Sequence, residues 1–388
     1  MNDKKKLLMF KITFFIEYVA QAIAYCLLIP YLTNIGYSAM QRSAILSFGA
    51  VLGTVLQFLV GYLCDRNRTI KRYLNIMNVV FAVCCVLLYR HSEYNYLFHF
   101  IAASLVIMFF KVVINVYDSY ALESGDELKR RYGIIRAYGS IGWAVGSEMI
   151  SRIVEKGTYK MLALAAVIAI ALLIMVNAMM EDAIKISNEK INWSDVGKLM
   201  KKKTYVLIVA SLTFCYTMMV AIDFIIVDKI LYVGGVERHV SLFWSVMALC
   251  ELPLFFTGNR LVRRYGAIAV YGFSVIIYSL RYLLYGMSDS LNFVLVLSVL
   301  QGFTFPLTMV ATKELVDDES PESLKSSGQL IGLAIYNNIP SLIAPLLTGY
   351  LEDSIGINSA LFTLAAFGLA SLFLLWLYYR EKKKTIAQ

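Results

Sequence analysis

Apolar runs of about 20 residues recur along this chain, and no other feature constrains its fold as tightly. Roughly 20 helical residues cross a hydrocarbon layer about 30 Å thick, and irregular backbone cannot face lipid because its polar groups would go unpaired. Twelve such runs can be marked, near residues 8 to 32, 41 to 64, 72 to 89, 96 to 122, 134 to 154, 160 to 180, 204 to 228, 239 to 257, 267 to 286, 290 to 312, 326 to 351 and 357 to 379. With 59% hydrophobic residues and a mean hydropathy of +0.66, the chain is too apolar for a soluble protein. The expectation is an all-α membrane protein of twelve transmembrane helices. Its first run starts on Lys4 to Lys6 but is long and has no small-residue cleavage site. It is therefore read as a retained span and not as a signal peptide.

A net charge of +9 on 388 residues could point to nucleic acid, but the distribution points to topology instead. The even-numbered connections and the two tails hold about 25 Lys and Arg, among them Arg66, Lys71, Lys201 to Lys203, Arg263, Arg264 and Lys382 to Lys384, against about 7 on the opposite side. The positive-inside rule then puts both termini in the cytoplasm of a multi-pass cell (inner) membrane protein, with no nucleic-acid partner. Cys26, Cys64, Cys84, Cys85, Cys215 and Cys250 lie in or at the ends of apolar runs without metal-ligand spacing. Neither a disulfide, a metal site nor a cofactor is expected.

Polar groups inside the spans mark candidate function, because intramembrane charge is costly and needs a partner, water or a proton. In the fourth span Lys111, Asn115 and Asp118 fall at i, i+4 and i+7, on one helical face. In the fifth, Arg136, Ser140, Trp143 and Ser147 form a second stripe, beside the small residues Gly139, Gly142 and Gly146 that permit close helix approach. These two helices are expected to pack tightly and to turn opposite charges toward each other across a cavity. The alternative is a structural ion pair with a packing Trp. Glu17 and Gln21 sit at i and i+4 in the first span, and Lys111 is a candidate partner for Glu17.

The second half carries Thr213, Tyr216 and Asp223 in span 7, Trp244 and Glu251 in span 8, and Ser274, Tyr278 and Arg281 in span 9. Span 10 offers Gln301, Thr304, Thr308 and Thr312 at i, i+3, i+7 and i+11, a continuous face suited to hydroxylated solutes. Span 11 adds Gln329, Tyr336, Asn337 and Asn338, with Pro340 and Pro345 able to interrupt its backbone bonding. Spans 6 and 12 are almost wholly apolar and are expected to face lipid. Away from the span ends the acids Glu17, Asp118, Glu148, Asp223 and Glu251 outnumber the bases Lys111, Arg136 and Arg281. An unpaired charge near the bilayer centre costs about 2.5 to 3.5 kcal/mol, so one or two carboxylates are expected to carry a proton in some state. Solvation of Glu148 and Asp223 near the outer surface is the competing account.

The polar stretch from Glu181 to Lys203 divides the chain into 1–183, a linker at 184–203 and 204–388. Trp193, Val196 and Leu199 beside Lys201 to Lys203 could lie on the inner leaflet, with ordinary linker as the alternative. GYLCDRNRTIKR between spans 2 and 3 has a weaker echo, GNRLVRRYG, about half a chain later between spans 8 and 9. That repeat supports two related six-helix halves.

YGIIRAYGSIGWAVGS together with Asp118 resembles the lactose permease branch of the major facilitator superfamily. The likeness runs over nearly the whole chain, with Arg281, QGFTFP at 301 to 306 and LTGYLEDSIG at 347 to 356 in register. It implies two pseudo-symmetric six-helix bundles, the major facilitator fold, that alternate access to a midplane site. It also implies that Asp118 and Arg136 hold sugar hydroxyls, that Trp143 stacks on a pyranose ring, and that Gly61, Asp65 and Arg66 belong to a cytoplasmic conformational gate. Charged groups bond hydroxyls strongly and an indole covers the apolar face of a sugar, so this set suits a neutral polyol.

The sequence also departs from that branch. Gln301 stands where the permease has its coupling histidine, Thr304 where it has its proton-carrying glutamate, and Asn338 where it has a helix 11 lysine. ELPLFF at 251 to 256 and SGQ at 327 to 329 are similar instead to sugar, nucleoside and phenylpropionate permease relatives.

The expectation is proton-coupled uptake of a sugar or oligosaccharide by a monomer. Asp118, Arg136, Trp143, Asn115, Gln301, Thr304, Asn337 and Asn338 are the candidate substrate residues. Glu17, Asp223, Glu251, Arg281 and Lys111 are the candidate coupling residues. A nucleoside or aromatic-acid permease, a multidrug exporter, or a transport-inactive solute sensor are the alternatives. An enzyme is not expected, since no nucleophile constellation occurs and GSIGWAVG lies inside an apolar helix, not after a strand.

Overall fold

A computed structural model of the chain describes residues 3–183, 197, 199–321 and 325–387, all helix and connection with no strand among them. Two compact units are present, Met1–Ser187 with Ile230–Leu249, and Asn188–Lys229 with Cys250–Gln388. The linker reading falls mostly on residues 184–196 and 198, outside the described residues. Leu199 at its end is buried, near Gly328.

The first unit is built from α1 (Asp3–Tyr25) and α2 (Leu28–Ile35), which together make one span, then α3 (Ala39–Asn67), α4 (Lys71–Arg90), α5 (Tyr96–Glu123), the short α6 (Asp126–Arg130), α7 (Tyr132–Lys156) and α8 (Lys160–Ala178). Ser38 and Gln41 form a capping box at the start of α3, and Asn95 caps α5 by accepting from the Phe98 N–H at 3.1 Å. After α9 (Lys203–Tyr232), α10 (Glu237–Tyr265) gives its first turns to the first unit and the remainder to the second. The second unit continues with α11 (Ala267–Met287), α12 (Leu291–Val296), α13 (Phe305–Glu319), α14 (Lys325–Leu333), α15 (Ile339–Ile355) and α16 (Ile357–Ala387).

Among the described residues 11 helical segments are long and apolar enough to cross a membrane. The twelfth span is α7, which has the length, 25 residues, but whose hydropathy is diluted by Arg136, Glu148, Arg152 and its glycines. Exposed apolar side chains such as Phe58, Val83, Ile168 and Phe373 coat the outer faces of α3, α4, α8 and α16. For α8 and α16 only one face meets lipid, since Ala166, Leu173, Leu361 and Leu364 are buried.

Two prolines break the spans locally. Ahead of Pro306 the backbone tightens into a 3₁₀ turn over Leu297–Phe303, and ahead of Pro340 it loosens into a π turn over Ala334–Asn338. A proline removes an N–H and disfavours helix in the residue before it, so the hydrogen-bond register slips just upstream. Pro345, in contrast, stays within α15.

Helix pairing corrects one expectation. The glycine strip of α7 packs on α1, not on the helix of Asp118: a Cβ on Gly142 would lie 2.3 Å from the Phe15 carbonyl oxygen, and one on Gly139 would lie 2.8 Å from the Tyr18 ring. α5 packs instead on α3 and α4. Asp118 is within electrostatic reach of Arg136, and the Arg136 guanidinium lies against Tyr18 of α1, the helix that meets the smallest side chains of α7. The pairing of α4 with α8 in the first unit is matched by that of α11 with α16 in the second, third helix with sixth in each half.

Candidate functional site

In the first unit the polar faces of α1, α5 and α7 converge. Glu17 is fully buried and accepts a hydrogen bond from the Gln21 amide at 3.0 Å. The Arg136 guanidinium lies over the Tyr18 ring, 4.5 Å from its centroid, a cation–π contact of the kind strengthened by desolvation. Asp118 interacts with the charge of Arg136 and lies within hydrogen-bonding reach of the Tyr132 hydroxyl, and Glu17 feels both Asp118 and Arg136. Glu17 thus has Gln21, Asp118 and Arg136 as neighbours. Lys111 lies on α5, its Cβ 3.6 Å from where a Cβ on Gly53 would stand. Asn115 is exposed and donates to Gln57 at 2.9 Å.

Trp143 is half-buried at the centre of an aromatic cluster, its ring centroid 6.4 Å from those of Tyr18 and Tyr25, 6.1 Å from Phe110 and 6.2 Å from Trp244. Tyr25 and Phe110 stack nearly parallel at 4.4 Å. Ser147, on the Trp143 stripe, donates to the Trp143 carbonyl at 2.7 Å and lies 3.2 Å from the Cys26 sulfur. Five polar atoms in this region are buried without a hydrogen-bond partner: Glu17 Oε2, Tyr18 Oη, Gln21 Oε1, Asp118 Oδ1 and Trp244 Nε1. Buried polar atoms are nearly always paired, so such a concentration marks a site that a ligand or water completes.

Tyr18 and Trp244 are absent from the sequence-derived site. A usable signal for Trp244 was the row Ser241, Ser245 and Ala248 beside it, whose small side chains permit close approach; Ser245 in fact donates to the Ala144 carbonyl at 2.9 Å.

The second unit holds a separate buried chain of polar groups. Arg281 is fully buried, donates from Nε to Tyr285 at 3.0 Å and from Nη1 to the Gln301 side-chain oxygen. Gln301 in turn donates from Nε2 to Glu251 at 2.9 Å. Asp223 and Arg281 both lie within electrostatic reach of Tyr278 and Tyr282. Gln301, Thr304, Thr308 and Thr312 are all buried, but the 3₁₀ turn breaks their common helical face. Thr304 is spent on the Gln301 carbonyl at 2.9 Å, and Thr308 on Ser274 at 2.9 Å. Asn337 and Asn338 stand half-buried in the π turn, the first donating to the second at 3.3 Å.

Around the proposed gate, Gly61 and Asp65 are half-buried in the last turns of α3 and Arg66 is exposed. The carboxylate that clasps the α3–α4 connection is one that the sequence reading overlooked. Asp182, just past α8, accepts from the backbone N–H of Ile70 at 3.1 Å and Lys71 at 2.9 Å and from the Thr69 hydroxyl, while Lys71 Nζ returns to the Met180 carbonyl at 2.6 Å. Partial burial works against the charged Asp182, but the Thr69 hydroxyl and these backbone donors outweigh it and hold its carboxyl below the ordinary range. Next to it Glu181 pairs with Lys6 at 2.8 Å, and that ammonium brings its carboxyl down to about 2. All six cysteines are free thiols.

Long apolar helices with charge buried on their inner faces define a polytopic membrane protein with a polar interior. The family model described as "MFS_1 like family" matches residues 7–340, and the chain belongs to that family of major facilitator transporters. A maltose permease of Geobacillus stearothermophilus is 22% identical over 241 residues, which is 62% of this chain and 61% of the permease's own length. Among solved structures, the nucleoside transporter NupG superposes with a TM-score of 0.81 at 14% identity, covering 96% of this chain and 98% of that one. A POT family transporter in complex with 5-aminolevulinic acid gives 0.78 at 12% identity, covering 97% and 96%. These relatives are transporters, not enzymes; at such identities the structural likeness establishes the fold, twelve spanning helices in two six-helix halves.

Proposed function

We propose that this transporter takes up a sugar or similarly polyhydroxylated solute together with a proton, by alternating access, as a monomer in the cell (inner) membrane with both termini cytoplasmic. The observation that carries the reading is the composition of the α1–α5–α7 cluster. Three of its unpartnered atoms, Glu17 Oε2, Gln21 Oε1 and Asp118 Oδ1, are acceptors beside an indole and a guanidinium. A solute rich in hydroxyl donors with an apolar ring face complements that set. In this reading Asp118, Arg136 and Asn115 hold hydroxyls and Trp143 stacks on the ring, with Gln301, Thr304, Asn337 and Asn338 contributed by the half at 204–388. Glu17, Asp223 or Glu251 carries the proton, with Arg281 and Lys111 as charge partners. The half at 1–183, joined to the other through 184–203, carries the gate at Gly61, Asp65 and Arg66.

A nucleoside is the second reading, favoured by the rings of Tyr18, Tyr25, Phe110 and Trp244 around Trp143, which suit a planar base as well as a pyranose. Counterflow in proteoliposomes with labelled maltose and labelled uridine separates the two. Exchange of maltose and not uridine is expected; exchange of uridine alone overturns the sugar assignment, and binding without exchange of either overturns transport of both. Glu17→Gln, Asp223→Asn and Glu251→Gln, assayed for uptake against pH, test the coupling. If all three retain the wild-type pH dependence, none of these carboxylates carries the proton.

A further inference from the structure

The second unit has an apolar groove of about 360 Å³ whose lining includes Leu254, Leu261 and Tyr265 of α10, Phe273 of α11, and Phe303 and Leu307 on the approach to and first turn of α13. Phe273, Phe303 and Tyr265 are exposed, so the groove opens outward, onto the lipid-facing surface of the span. On α10 its residues stand at i, i+7 and i+11, a single stripe. From Tyr265 to Leu254 that stripe climbs 11 residues, about 16 Å at 1.5 Å per residue, or one leaflet of a hydrocarbon core about 30 Å thick.

Cationic groups mark the end of the groove where α10 gives way to α11. Arg260 and Arg264 are exposed, lie at i and i+4, and flank the stripe on one side; the Arg264 guanidinium sits 5.3 Å from the Tyr265 ring centroid. Arg263, 200° around the helix from Leu261, points away. None of the three takes part in an ion pair among the described residues. α10 has no acid after Glu251 and α11 has none at all. Of the acids at the same end of α13, Asp317 accepts from Gln329 at 2.7 Å, Asp318 pairs with Lys382 at 3.2 Å and Glu319 with Lys202 at 2.9 Å, while Glu314 is exposed.

We propose that this groove binds one anionic phospholipid, its headgroup phosphate held by Arg260 and Arg264 and one acyl chain laid along the stripe to the mid-membrane ring of Phe303. Guanidinium forks suit phosphate, and basic residues at a helix end attract anionic lipid. Both parts of the amphiphile are matched: a dry slot one leaflet long, and unpartnered positive charge at its mouth.

The test is native mass spectrometry of the purified full chain, delipidated and then exposed to equimolar phosphatidylglycerol and phosphatidylcholine of the same acyl composition. The wild type is expected to retain phosphatidylglycerol roughly 30-fold over phosphatidylcholine, as two basic residues acting at an anionic surface imply. R260Q/R264Q should bring that ratio close to parity, R263Q should leave it unchanged, and A269W, which puts an indole at Ala269 in the groove lining and leaves all three arginines in place, should lose the adducts of both lipids. Equal retention of the two lipids by the wild type overturns the proposal. So does loss of preference in R263Q equal to that in the double variant, which would mean diffuse charge attraction with no headgroup seat. Undiminished adducts in A269W would overturn the placement of the chain.

Discussion

The contact between α1 and α7 is the most demanding in the first unit, and replacing Gly142 with Ala tests it. A Cβ there falls 2.3 Å from the carbonyl oxygen of Phe15 and 3.0 Å from its carbonyl carbon and Cα, about 1 Å short of ordinary van der Waals contact. The obstacle is backbone, so no rotamer change relieves it and the two helices must separate along the strip that Gly139 and Gly146 also form. Overpacking of this kind costs about 1–3 kcal/mol, against a gain of about 1 kcal/mol from the better helix propensity of alanine. A backbone clash this close belongs at the upper end, so a net loss of roughly 1–2 kcal/mol is expected, a drop of about 1–3 °C in thermal midpoint.

Gly133 on the same helix has open space around the same position. G133A should therefore melt at or above the wild-type temperature. Arg136 and Trp143 ride on α7, so the separation in G142A should also weaken solute exchange beyond what the loss of stability explains. The assay is thermal unfolding of the detergent-purified protein beside counterflow in liposomes. A G142A midpoint equal to or above that of the wild type would refute the packing argument.

Other consequences are open to measurement. W143A should weaken solute affinity roughly 30-fold, about 2 kcal/mol for an aromatic anchor that a bound solute covers, while W143F holds it within a few-fold; equal effects of the two would remove stacking as the cause. D182A removes the acceptor for the Ile70 and Lys71 N–H groups at the start of α4 and should cost about 1 kcal/mol at pH 7. Because the folded Asp182 carboxyl titrates below its ordinary value, its contribution is present above the unfolded pKa of about 3.9 and disappears as pH falls through the folded one, so the gap between D182A and wild-type midpoints should close only as pH falls below the ordinary carboxylate range. Q301L takes the acceptor from Arg281 Nη1 and a donor from Glu251 and should cost about 1.5–3 kcal/mol for each of these two charge-assisted hydrogen bonds, read as a lower melting temperature; an unchanged midpoint would mean that this chain adds nothing to stability.

Spans, helical class and membrane residence were legible in the sequence because they follow from a local quantity, the length and apolarity of each run. The charged positions Glu17, Asp118, Arg136, Glu251 and Arg281 were legible for the same reason, since a charge inside such a run stands out without any knowledge of neighbours. Which helix each face meets was not. The strip Gly139, Gly142 and Gly146 announced a close approach, but only the tertiary structure chose α1 as the partner and so brought the Tyr18 ring against Arg136. The hydroxyl row from Gln301 to Thr312 reads as one face only if the helix is regular, and the slip ahead of Pro306 turns two of its members to partners within their own unit. Asp182 and Trp244 matter through groups more than 100 residues away, Lys71 and Trp143. Periodicity reports what lies along one helix axis, whereas the contacts that complete this site run between helices, where packing, not sequence spacing, sets the distance.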